Sequence, residues 1–69
     1  MFLKIHNKYI ALDSIESVTE IEYEELNKYR RFVVYFKSGN LSIFESYHMT
    51  DEELDRAHDN LIRELGINR

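Results

Sequence analysis

The chain has no cysteine, no proline and no tryptophan, and only two glycines among 69 residues. Without cysteine there is no disulfide framework and no thiolate zinc site, so a small apolar core has to hold the domain together. Two isolated glycines, Gly39 and Gly66, cannot build a glycine-rich phosphate loop. No linker, repeat or low-complexity segment interrupts the chain, which reads as a single domain over 1–69. No stretch approaches the ~18 apolar residues of a membrane span. The opening Met-Phe-Leu-Lys-Ile lacks the long apolar region of a signal peptide, so a cytoplasmic protein is expected.

Chemistry-bearing patterns are also scarce. His6, His48 and His58 form neither HxxxH nor HExxH, so no metal and no cofactor are expected. His58 falls at the edge of an apolar helical stripe, where packing against Leu61 and Ile62 is the simpler role; Asp55, three residues earlier, is a candidate hydrogen-bond partner. A catalytic dyad needs a nucleophile and an oxyanion site, and nothing marks either. Carboxylates are plentiful, but a general acid needs one in an apolar pocket, which a wet strand face lacks. The expectation is a protein that is not an enzyme.

What the chain does have is patterned charge. Net charge is −4, with six acids and no Lys or Arg from Asp13 to Glu25. Four basic residues and no acid follow from Lys28 to Lys37, then seven acids against Arg56 and Arg63 from Glu45 to Glu64. This argues against generic nucleic-acid binding, which needs a basic footprint, and leaves room for a basic protein partner. The stretch Glu20-Ile-Glu-Tyr-Glu-Glu25, read as a strand, puts Glu20, Glu22 and Glu24 on one face. Same-face residues repeat every ~6.6–7 Å, near the spacing of phosphates along a nucleic-acid strand. Such a row is either a solvated face or an acidic contact surface, for which the candidates are Glu16, Glu20, Glu22, Glu24 and Glu25. A hairpin turning at Leu26-Asn27 sets Glu22 opposite Arg31 and Tyr23 opposite Arg30, so both arginines are expected to act as counter-ions to the row. Asp51, Asp55 and Asp59 form a second acidic row at i,i+4 spacing, read as solvated.

Strand signals cover Phe2–Ile5, Tyr9–Leu12, Glu16–Tyr23, Arg31–Phe36 and Leu41–Glu45, with turns at His6-Asn7, where Asn7 tolerates positive φ, and at Ser38-Gly39-Asn40. Phe32, Val34 and Phe36 share one face, and Leu41 with Ile43 are expected to join them. Val33, Tyr35 and Phe44 are then left on the other face, where something should cover them. With Tyr29 these make a possible interface, as in a homo-oligomer. Thr50 and Glu53 form a capping box, Met49 and Leu54 a hydrophobic staple, and Gly66 a C-terminal cap. Leu54, Ala57, His58, Leu61, Ile62 and Leu65 make one stripe, so one amphipathic helix lies on one sheet face.

The expected fold is α+β: an antiparallel β-meander of about five strands packed against one C-terminal amphipathic helix. This arrangement resembles small α+β rolls and pleckstrin-homology-like folds. In size and in a composition rich in Ile, Lys, Asn, Glu and Tyr, the chain resembles small accessory proteins of low-GC bacteria and their phages. That resemblance implies an inhibitor or regulator whose acidic surface occupies a basic site on a defence or nucleic-acid enzyme, through protein contact and without direct nucleic-acid or membrane binding. The alternatives are an oligomeric binder for an anionic ligand such as a nucleotide, held by Lys28, Arg30, Arg31 and Lys37, and a structural homodimer with no separate target.

Overall fold

The structure, a computed structural model, describes residues 1–67. The meander and terminal helix are both present, so the fold is α+β. The strands are β1 (Phe2–Ile5), β2 (Lys8–Ala11), β3 (Ile15–Val18), β4 (Glu22–Glu24), β5 (Tyr29–Phe36) and β6 (Leu41–Glu45), followed by α1 (Asp51–Leu65). β1 and β2 form a separate two-stranded hairpin. The other four make one antiparallel sheet around β5, with β3 and β4 on one side of it and β6 on the other. The turn between β1 and β2 is His6-Asn7, but positive φ (56°) falls on His6, not on Asn7. A two-residue hairpin with positive φ only at its first central position follows the type II′ pattern.

The single strand expected over Glu16–Tyr23 is broken in two. Thr19 holds the break: its N–H donates to the Val33 carbonyl and its Oγ1 accepts from Val33 N–H, both at 2.9 Å. The side-chain oxygen thus replaces a backbone acceptor in the ladder. Val18 and Ile21, three residues apart, consequently both pack on the core. In an unbroken strand, with its period of two, they would lie on opposite faces.

β5 supplies the centre of the core. Phe32 and Val34 are fully buried with Leu54 and Leu61 of the helix, and Ile5 and Ile10 from the hairpin, Ile15 and Phe44 are buried around them. Phe44 stacks on Phe32 with ring centroids 5.1 Å apart. This corrects the expected faces of β6. Tyr35 pairs with Leu41 and Val33 with Ile43, while Phe36 N–H donates to the Asn40 carbonyl. Leu41 and Ile43 therefore lie outside with Val33 and Tyr35, and Phe44 lies inside. The turn around Gly39 (φ 94°) closes one residue away from the expected register, and a one-residue offset exchanges the two faces of a strand.

The helix forms as its sequence dictates. Thr50 Oγ1 accepts from Glu53 N–H, and the Glu53 carboxylate accepts from Thr50 N–H, each at 3.1 Å. Met49 and Leu54 are buried as a staple requires. At the other end Gly66 has φ 74°, its N–H donates to Arg63 O, and Ile67 N–H donates to Ile62 O, a Schellman cap. Leu54 and Leu61 are completely buried, and each such burial stabilises the fold by about 1.5–3 kcal/mol. The single buried polar side chain among the described residues is His58. Its Nε2–H donates to the Thr19 carbonyl, which can only accept, at 2.9 Å, and ties the helix to the break between β3 and β4. The ring also meets Phe32 edge-on, 5.0 Å between centroids. The expected Asp55–His58 bond is replaced by this longer-range one.

Candidate interaction surface

The helix covers one face of the four-stranded sheet and leaves the other open. Cross-strand pairing sorts the open face into two zones. In the first, Val33 lies opposite Ile43 and Tyr35 opposite Leu41. Tyr35, Leu41 and Ile43 are 41%, 50% and 40% exposed, large values for neighbouring apolar side chains on paired strands. In the second, Arg31 lies between Glu22 of β4 and Glu45 of β6. One cation thus stands in a row with two carboxylates, so the row carries a surplus negative charge beside the apolar zone. No ion pair closes within this row among the described residues; Glu22 is exposed, and Arg31 and Glu45 are half-buried.

The acidic stretch is not the straight row that an unbroken strand would give. Glu16 sits at a register shift in β3, and Glu22 lies beyond the break. Glu20 is exposed and within the break. Glu24 is used locally: its carboxylate accepts from Leu26 N–H at 3.2 Å and Asn27 N–H at 2.6 Å, capping the loop between β4 and β5. That loop ends on Lys28 with positive φ (56°), and Glu25 is exposed on it. Beside it Tyr29 and Tyr47 pack with centroids 4.6 Å apart, and Tyr47 Oη donates to the Asn27 carbonyl. Tyr29, on the same face as Arg31 and Tyr35, is thereby packed against the segment that follows β6.

Arg30 answers the helix, not the glutamates. Lying opposite Tyr23, it points to the inner side of the sheet and donates to both Asp55 oxygens, at 2.6 and 3.3 Å, with Asp51 3.9 Å away. The hydrogen bond to Asp55 raises the Arg30 pKa, and the same bond holds the Asp55 carboxyl below the usual carboxylate range. The aspartate row is therefore partly a docking element for β5 instead of a purely solvated face. Glu53 is also held low, chiefly by the Thr50 backbone N–H that it accepts from. On the exposed helix surface Arg56 pairs with Glu52 at 2.8 Å, while Arg63 donates to Asn60 at 2.6 Å.

The four cations considered for anion binding do not converge. Lys28 and Lys37 flank opposite ends of β5, about 25–30 Å apart along an extended strand. Arg30 and Arg31 point to opposite faces. Of the residues considered for an interface, Val33 and Tyr35 are on the open face and Phe44 is in the core. Leu41 and Ile43, assigned inward from sequence, complete the open face; the parity of the turn length between β5 and β6 is the signal that identifies them. No helix of the described residues is long and apolar enough to cross a membrane. No family model matches this chain, and no curated protein or solved structure is similar to it at a significant level.

Proposed function

We propose that this chain is a non-enzymatic protein-binding module, an inhibitor or regulator, whose contact surface is the open sheet face. The observation that carries this reading is the pairing of exposed Tyr35 and Leu41 beside Val33 and Ile43, on a face that no other element covers. Surface patches of this kind, apolar at the centre and charged at the rim, mark contact sites. The Glu22–Arg31–Glu45 row sets the partner's chemistry: an apolar surface flanked by at least one basic side chain. Acidic character on this chain then contributes mainly to orientation and association rate, and the apolar zone to affinity.

Affinity capture from a lysate of the native source tests this with three baits. The wild type is expected to retain a partner that is lost when Leu41→Lys and Ile43→Lys are combined. The same partner is expected to be retained weakly by the Glu22→Gln, Glu45→Gln variant and to elute at lower salt. All four side chains lie on the outer face of the sheet, so circular dichroism should match across the baits. Identical retention by all three would sink the reading.

A further inference from the structure

The two long edges of the four-stranded sheet are built differently. The edge made by β3 and β4 is broken at Thr19, shifted in register at Glu16 and studded with glutamates. Interruptions and charges of this kind prevent another strand from adding. The β6 edge runs unbroken over Leu41–Glu45, with no proline, no lysine and no bulge, and with Glu45 as its one charge.

Hydrogen-bond parity shows what this edge offers. Phe36 N–H donates to Asn40 O, and Ser46 N–H donates to Arg30 O. In an antiparallel pair, bonded and non-bonded positions alternate. The even residues of β6 therefore bond to β5, and the N–H groups of Leu41, Ile43 and Glu45 point away from the sheet. The Leu41 and Ile43 carbonyls do the same, whereas Glu45 O accepts from His48 N–H at 3.1 Å. Next to this edge is a cleft of about 230 Å³ between β6 and the turn of the first hairpin, lined by His6, Asn7, Lys8, Ile43, Glu45 and His48 among others. Lys8 reaches across it, with Nζ 5.4 Å from the centre of the Phe44 ring on the inner side of β6.

We infer that the β6 edge is a strand-addition site for an extended peptide segment of alternating apolar and acidic residues. Main-chain bonds to Leu41, Ile43 and Glu45 hold such a segment, and pockets for alternate side chains select it. Side chains of the added strand that point outward extend the apolar zone of Leu41 and Ile43. Those that point inward meet Lys8 and the two imidazoles, which favours carboxylates. The site adjoins the open face and shares Ile43 and Glu45 with it, but it is distinguished by its use of the edge backbone and of Lys8 in the first hairpin.

Selection from a displayed library of short random peptides tests this, with hydrogen exchange read by NMR on the peptides recovered. Enriched peptides are expected to alternate β-branched or aromatic residues with Asp or Glu, and to slow exchange at the Ile43 and Glu45 amides. Ile43→Pro removes an outward N–H while leaving the β5–β6 bonds intact, and Lys8→Glu reverses the cleft's cation without touching the open face. Each is expected to weaken the peptides about tenfold or more, roughly 1.4 kcal/mol. Failure to enrich any peptide overturns the inference, as do peptides without acids or peptides that bind the Lys8→Glu variant equally well. Protection of Ile43 that grows with protein concentration alone assigns the edge to a second copy and overturns it too.

Discussion

Two edges of one sheet carry similar strand-forming residues but differ in how their backbone is satisfied. Along β3 and β4 the ladder to β5 is interrupted, and the interruption is filled by the Thr19 hydroxyl and the buried His58 imidazole. Along β6 the ladder is regular, and the outward groups of Leu41 and Ile43 and the Glu45 N–H point away from the sheet, while Glu45 O accepts from His48 N–H. The contrast teaches that irregularity and charge together protect an edge. A side chain that substitutes for a backbone acceptor ends one pairing and discourages the next.

The largest expected effect separates neighbouring positions on β6. Ser42 N–H donates inward to β5, so Ser42→Pro leaves an orphan carbonyl on Val34 and should cost at least about 2 kcal/mol in urea unfolding. Ile43→Pro, one residue along, should cost clearly less, because its N–H faces outward. Equal losses would break the parity assignment. At the other edge, Thr19→Val keeps the shape but removes the acceptor for Val33 N–H. The expected loss is about 1–2 kcal/mol, with faster amide exchange at Val33 than at Val34.

The smallest effect concerns the helix face. The bond between Arg30 and Asp55 is half-exposed, so Asp55→Asn should cost only about 0.5–1 kcal/mol at neutral pH. Its pH dependence has a definite sign. Asp55 and Glu53 have folded-state pKa values below their unfolded ones. The unfolded chain therefore binds more protons in that interval, and stability is present above the unfolded values, about 3.9 and 4.3, and is lost as pH falls through the folded ones. Chemical denaturation from pH 6 downward should show a shallower acid decline in Asp55→Asn than in the wild type. An unchanged decline would remove Asp55 from the account.

Local chemistry made much of this fold legible. The capping box, the staple and the Gly66 cap depend on residues a few positions apart, and the register that sets Glu22 opposite Arg31 depends on a short hairpin, so spacing decides geometry. The register between β5 and β6 was not legible in the same way. Apolar residues occupy both faces of β5, Phe32 and Val34 on one and Val33 and Tyr35 on the other, so alternation alone does not say which face the next strand shares. The break at Thr19 was hidden because threonine is itself a good strand former and the alternation runs through it. Arg30 found its partners 21 and 25 residues away, on a helix whose placement no local pattern specifies. For the candidate surface the consequence is direct: Val33 and Tyr35 lie on the face that alternation along β5 predicts, whereas Leu41, Ile43 and Phe44 exchange sides.

The turn between β5 and β6 therefore constrains how this chain can diverge. Lengthening it by one residue would carry Phe44 to the solvent and bring Leu41 and Ile43 into the space the Phe44 ring now fills, whereas a change of two would restore both faces. Viable descendants should accordingly gain or lose residues at 37–40 in pairs, and any odd-numbered change should arrive with compensating replacements along the whole of β6.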